Sequence, residues 1–274
     1  MFERILVPYN RSEAAEIALE QALLLAKRHG STLHGVYVID AQLYAYLPHQ
    51  TEMQGFAGFA PLTDTWSADI RGRWQEVAGD ALEHFAQRCA DEGVACRTAQ
   101  HIGFIGDTLL DAARDADVVV LAHTHLERPL GAVLEMLARH SPVAVWLALN
   151  QPLLPHHATL AFDGSKHAAS ALRVASDLAQ HWGIALDVLV VQEGERIGMD
   201  TLLHAQRELR ECHARAGELV YAHDTAAHGI LEHTQADTLM VMGTSGHRRV
   251  LGLGFDHTFN QVLRGAHGAL LICP

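Results

Sequence analysis

The sequence predicts an α/β protein made of two tandem five-stranded parallel-sheet units, and three observations predict it. Short apolar runs alternate with helical patterns, the order that produces βαβ units and a parallel sheet covered by helices on both faces. That order of elements occurs twice along the 274 residues. The two copies meet at Asn150-Gln151-Pro152-Leu153-Leu154-Pro155, a linker punctuated by proline.

The repeat can be read residue by residue. Leu6-Val7-Pro8-Tyr9-Asn10-Arg11-Ser12 lies over Thr159-Leu160-Ala161-Phe162-Asp163-Gly164-Ser165, and the match continues without a gap. Ala15 meets Ala168, Ala18-Leu19 meets Ala171-Leu172, Ala22 meets Ala175, Ala26 meets Ala179, Gly30 meets Gly183 and Val38 meets Val191. Chance similarity between two helices rarely holds register through a terminating glycine. A second block closes each copy. Ala116-Asp117 before Val118-Val119-Val120-Leu121 parallels Ala236-Asp237 before Thr238-Leu239-Met240-Val241. Each block leads through a helical stretch to a final apolar run, Val143–Leu147 in one copy and Ala269–Cys273 in the other.

In the first copy, Ile5–Pro8 reads as a strand. Ser12 is suited to cap the helix that follows, and Gly30 stands where a C-terminal glycine belongs. Leu33–Ile39 is the second strand. A long helix is expected from about Ala68 to Glu92, closed by Gly93, followed by a strand over Ala95–His101 and a short helix over Asp107–Arg114. Val118–Ala122 lacks alternation and reads as a strand buried on both faces. A helix over Leu130–Arg139 and a strand over Val143–Leu147 complete the copy. The second copy repeats the plan, with a shorter helix from about Asp200 to Arg215. The first copy alone carries Ala41–Trp66, rich in Tyr, Phe and Gly, which reads as a flap over the sheet edge because aromatic side chains gain by burial.

Composition narrows the function classes. Hydrophobic residues make up 49% and charged residues 19%, enough apolar material for packed cores. The net charge of −12 repels phosphate backbones and argues against general nucleic-acid binding. Twenty histidines make the charge steep near pH 6. Cys89, Cys96, Cys212 and Cys273 form no Cys-x-x-Cys pair and read as reduced structural thiols. Met1–Ile5 enters a strand pattern with no signal-peptide layout, and no apolar run reaches the length of a membrane span. A cytoplasmic protein without membrane or nucleic-acid partners is expected.

The segments Ile5–Ser12 and Leu160–Ser165 resemble the opening strand and turn of universal stress domains. Val241-Met242-Gly243-Thr244-Ser245-Gly246 resembles the family's fourth strand and following loop, and Gly103-Phe104-Ile105-Gly106-Asp107 the loop after its third strand. The resemblance covers nearly the whole chain, twice, and the tandem length is similar to that of E-type members. It implies two Rossmann-like domains, residues 1–150 (with 41–66 inserted) and 151–274. It also implies a role in stress resistance through ligand or partner binding, and it gives no reaction. The family commonly dimerises through its last strands. In a tandem chain Val143–Leu147 and Ala269–Cys273 can pair internally as a pseudo-dimer, leaving the intact chain a monomer or able to dimerise again.

Nucleotide-binding members carry Gly-x-x-Gly, nine residues, then Gly-Ser or Gly-Thr. Bare glycine amides approach phosphates, and a helix N-terminus with a hydroxyl completes the cradle. The second copy keeps part of this. Asp163 holds the early acidic position, Gly243 and Gly246 supply the glycine pair, and Asp256-His257 replaces Gly-Ser. A carboxylate about 4 Å from a phosphate charge costs roughly 1 to 4 kcal/mol, depending on the local dielectric. Arg248 and Arg249 either offset that charge or face water, and Asp256 is equally suited to cap its helix. A nucleotide such as ATP or AMP in the second copy would use Asp163, Val191, Gly243, Gly246 and His257. No cofactor is assigned outright. In the first copy Asn10 replaces the acid, Ala122 and His125 stand at the loop glycines, and Gly131-Ala132 stands at Gly-Ser after a loop about four residues shorter. No ordinary ATP site is expected there.

Other constellations are thinner. His101, His123 and His125 end strands of one sheet and are a candidate metal set, without the spacing of a known metal motif. His156-His157 lies at the linker, and His223, His228 and His233 read as an amphiphilic surface. There is no Gly-x-Ser-x-Gly, no Walker sequence and no full dinucleotide fingerprint around Gly252 and Gly254, and Cys273 is poorly placed for nucleophilic attack. The leading expectation is a non-enzymatic regulatory protein with degenerate nucleotide motifs. The alternatives are a second copy that binds, or slowly hydrolyses, ATP, and a carrier of a small apolar ligand or lipid with 41–66 as its lid.

Overall fold

The computed structural model describes residues 1–42, 60–123, 132–192, 199–211, 216–244, 254–266 and 268–274. The first half contains β1 (Arg4–Pro8), α1 (Glu13–His29), β2 (Thr32–Asp40), α2 (Ala60–Asp91), β3 (Cys96–Gly103), α3 (Ile105–Ala113), β4 (Val118–His123), α4 (Ala132–His140) and β5 (Ala144–Leu149). The second contains β6 (His157–Ala161), α5 (Lys166–Trp182), β7 (Ala185–Gln192), α6 (Met199–Glu211), β8 (Ala216–His223), α7 (Ala226–Glu232), β9 (Thr238–Gly243), α8 (Gly254–Gly265) and β10 (Ala269–Cys273).

The opening helix and its two caps repeat closely in the two halves. Both α1 and α5 run 17 residues. Ser12 Oγ accepts from Ala15 N at 3.2 Å, and Ser165 Oγ accepts from Ala168 N at 3.0 Å. Each serine thereby satisfies one of the donors that a helix start leaves open. Both helices end on a left-handed glycine, Gly30 at φ 70° and Gly183 at φ 70°. The β1–β2 register repeats, with Arg4 on Thr32 as His157 is on Ala185, but the closing block shifts by one residue from the sequence alignment: Ile5 pairs with Val118 and Ala158 with Leu239, which sets Val118 over Leu239 and Ala122 over Gly243.

The ten strands among the described residues form one sheet in the order β3-β2-β1-β4-β5-β10-β9-β6-β7-β8. Pairing is parallel within each half and antiparallel between β5 and β10, where Leu147, Trp146 and Val145 face Leu270, Leu271 and Ile272. The internal pairing of the two final strands is therefore present, and it fuses the halves into one continuous sheet. Every residue of β5 and β10 is buried. Two apolar cores, one on each face, cross this seam. One gathers Val120, Trp146, Leu271 and Trp182, and the other Leu147, Leu149, Leu270 and Phe259. The linker is tied down by Gln21, whose fully buried side chain donates to Leu153 O at 3.0 Å and accepts from Leu153 N at 2.9 Å.

Several boundaries differ from the sequence-based expectation; β3 ends at Gly103 and β5 at Leu149, each two residues later than expected. Helix α2 begins at Ala60, inside the stretch read as a flap, and residues 43–59 of that stretch lie outside the described residues. Helix α3 begins at Ile105, two residues early, because Phe104 starts it without a side-chain cap. Among the described residues, no helix is long and apolar enough to cross a membrane. Cys89 and Cys273 are buried free thiols. Burial pushes both up to about 12, with the neighbouring Cys96 a further cause for Cys89, so they serve as packing groups.

Above the seam the ends of α1 and α5 meet. Trp182 Nε1 donates to His29 Nε2 at 3.1 Å, His29 stacks on His181 at 4.8 Å between ring centroids, and Arg28 donates to Trp182 O at 3.0 Å. The indole can donate only to an unprotonated nitrogen, so His29 is neutral in this arrangement. Burial, then the facing His181, the chain N-terminus and Arg28, lowers its pKa to about 4. An unfolded imidazole titrates near 6.5, so between these values the unfolded chain takes up a proton that the folded chain refuses. The stabilisation from neutral His29 is complete above about pH 6.5 and is lost as the pH falls towards 4. In thermal melts from pH 7 to pH 4.5, His29→Leu is expected to flatten the decline in Tm relative to the parent. An unchanged slope would contradict this role.

Candidate functional site

Within each half the strand order reverses beside the first strand, between β1 and β4 and again between β6 and β9. In open parallel sheets, the crevice beyond the carboxyl ends of the strands at such a reversal is where ligands bind. The turn leaving β1 and the turn leaving β6 bring a helix N-terminus into each crevice. Asn10 Oδ1 accepts from Ser12 N at 3.1 Å, and Asp163 Oδ1 accepts from Ser165 N at 2.9 Å, so the amide and the carboxylate close the same turn. The residue between is left-handed in both, Arg11 at φ 60° and Gly164 at φ 80°.

The first-half crevice is an open cleft of about 250 Å³. Its floor is the start of α1, with Ala14, Ala15 and Ala18, and its walls come from β2, β4, α3 and α4. Among the described lining residues only Tyr9, Asn10 and Ser12 carry polar side chains, and none carries a cationic one. Tyr9 is 2% exposed. Its hydroxyl donates to Glu16 and lies 2.7 Å from His84 Nδ1 on α2, while Arg88 pairs with Glu16 at 3.3 Å. Burial first, then the Glu16 carboxylate, raises the Tyr9 pKa, so the phenol stays protonated. Sequence reasoning missed this network, whose partners on α2 are some 75 positions away.

Three of the second-half candidates stand at the carboxyl ends of neighbouring strands, Asp163 after β6, Val191 on β7 and Gly243 at the end of β9. Asp163 is exposed at the turn. Gly243 ends β9 against the start of α5: an added Cβ would stand 2.8 Å from the His167 carbonyl carbon and 3.0 Å from Ala168 N. Val191 lies under α7, where a Cβ on Gly229 would stand 2.9 Å from each of its methyls. His257 and Asp256 lie in the first turn of α8, which begins at Gly254, so Asp256 is inside the helix and not its cap. Gly246, Arg248, Arg249, His125 and Gly131 lie outside the described residues.

Of the candidate histidines, the two described ones do not adjoin. His101 on β3 and His123 on β4 are three strands apart, roughly 14 Å at ordinary strand spacing, because β2 and β1 intervene. His228 instead stands between Asp224 and Glu232 on the exposed side of α7, and His233 Nδ1 lies 2.8 Å from Gly229 O. The backbone N–H of Thr225 and the His228 ring hold Asp224 below the ordinary carboxylate range, the behaviour of a solvated ion-pair ladder.

Position 243 yields a direct test. Gly243→Ala forces a methyl onto backbone atoms that cannot yield, and is expected to cost about 1–3 kcal/mol in urea unfolding. The matching Ala122→Gly on β4 is expected to cost no more than about 1 kcal/mol. Equal small effects would show that the close approach at Gly243 is not structural.

Comparison with known proteins agrees with this architecture. The universal stress protein family model matches residues 1–148. A universal stress protein of Synechocystis sp. is 31% identical over 155 residues, covering 53% of this chain and 96% of the relative. A universal stress protein from Archaeoglobus fulgidus shares the fold with a TM-score of 0.71 at 18% identity, over 98% of this chain and 95% of that chain. A functionally unknown protein from Pseudomonas aeruginosa PAO1 does so with a TM-score of 0.66 at 17% identity, over 99% and 92%. With the matched family model covering more than half of it, and the fold shared along nearly its full length, this chain belongs to the universal stress protein family.

Proposed function

We propose that the chain is a non-enzymatic ligand-binding protein of the stress response, built from two unlike units, residues 1–150 and 151–274. The observation that carries this reading is the difference between two crevices that share one backbone plan. Where the second unit has Asp163 and Gly243, the first has Asn10 and Ala122. Nucleotide contact is assigned to the second unit, through Asp163, Val191, Gly243, Gly246 and His257. It is weak, because an acidic Asp256 stands where a hydroxyl would complete a phosphate cradle.

The absence of a reaction is supported by how the candidate nucleophiles are used. The hydroxyls of Ser12 and Ser165 cap helices, the Tyr9 phenol is tied to Glu16, and Cys89 and Cys273 are buried thiols. Tyr9 does touch Glu16 and His84, but it is buried and its raised pKa keeps the phenol protonated, which argues against its use as a nucleophile.

Calorimetry of the intact protein with ATP and AMP tests the assignment. One weak site per chain is expected, with a Kd of about 1 mM or above. Asp163→Ala is expected to abolish it and Asn10→Ala to leave it unchanged. Two nucleotides bound per chain, or steady release of phosphate from ATP, would contradict the reading.

A further inference from the structure

We propose that the first-half cleft binds an uncharged, largely apolar small molecule. This rests on reading the chain as a ligand-binding protein, and it names the ligand class for one of its two crevices. The first ground is the wall chemistry. Val36, Val38, Leu109, Leu121, Val133 and Leu134 line the cleft, and its floor is alanine. The second ground is that the polar side chains are already engaged. Tyr9 is bonded to Glu16 and His84, Asn10 Oδ1 holds Ser12 N, and Ser12 Oγ holds Ala15 N. Asn10 and Ser12 are exposed, which places them at the rim. A phosphate or carboxylate entering the cleft would lose its hydration and meet no lysine or arginine among the described lining residues. An apolar molecule loses nothing of that kind and covers apolar wall.

The third ground is size and depth. A dry apolar cavity of about 150 Å³ suffices for benzene, and this cleft measures about 250 Å³, room for a bicyclic molecule. Ala122 is one of its lining residues. Its counterpart Gly243 allows the start of α5 to press onto β9 so closely that a methyl has no space. Ala122 carries that methyl on the cleft wall.

The test is binding of indole, an uncharged bicyclic probe, to the full chain by calorimetry and saturation-transfer NMR. One saturable site per chain is expected. Ala14→Phe, which puts a ring into the cleft from the α1 floor, and Val133→Lys, which puts a charge on its wall, are each expected to weaken indole by at least about tenfold. Neither is expected to change the response to ATP. Val133→Lys alters a half-buried position, so it carries the test if Ala14→Phe does not fold as judged by its thermal melt. Absence of saturable indole binding, indole affinity unchanged in a folded variant, or competitive displacement of indole by ATP would each overturn the proposal. Loss of ATP binding in Asp163→Ala with indole retained supports two separate sites. Indole binding with no ATP response at all removes the nucleotide assignment of the second unit and leaves this one standing.

Discussion

The antiparallel pairing of β5 with β10 is the contact on which the rest of the molecule depends. Both strands are apolar along their whole length and buried on both faces. As free sheet edges, they would present unpaired backbone groups and apolar side chains to water, the arrangement that leads to uncontrolled strand pairing. Joined to each other, they bury both edges at once. They also place Trp146 against Trp182, at 5.8 Å between rings, and let each apolar core run through from one half to the other. The halves of the sheet thus share their interior, and the linker, clamped to Gln21, follows the surface they create.

A shared seam leaves the two crevices free to diverge. Each lies at its own reversal of strand order, away from β5 and β10, and each is built on a capped helix start that needs no ligand to form. Asn10 and Asp163 close identical turns, so the backbone does not require the carboxylate. What remains of Asp163 is its charge. At the matching positions Ala122 lines the cleft, whereas Gly243 lies so close to α5 that a methyl has no room. Asn10 in place of Asp163 and Ala122 in place of Gly243 are two differences between the crevices on this shared plan.

The repeated architecture was legible in the sequence because its signals are local: serine caps, left-handed glycines and unbroken apolar runs, all in one register. The start of α2 was less so. Pro61, in its first turn, is a helix-start signal, but the aromatic and glycine-rich stretch before it suggested a flap. Helix α3 hid its start because Phe104 offers no capping oxygen. The candidate site was half visible. Asp163 and Gly243 stand out as motif residues, yet that Gly243 is fixed by contact with His167 and Ala168 depends on a helix in a distant stretch of chain. The His29–Trp182 contact had a signal that went unused: the two occupy matching positions of the repeat, just before Gly30 and Gly183, and an internal two-fold brings matching positions together.

Native-state hydrogen exchange of the β5 and β10 amides measures the central contact directly. If the seam unites the molecule, these amides exchange only in the slowest class, with the same opening free energy as those of β1 and β6. Seam amides that exchange well ahead of β1 and β6, while both central strands stay protected, would mean that the halves separate readily and that the continuous sheet is not what holds the protein together.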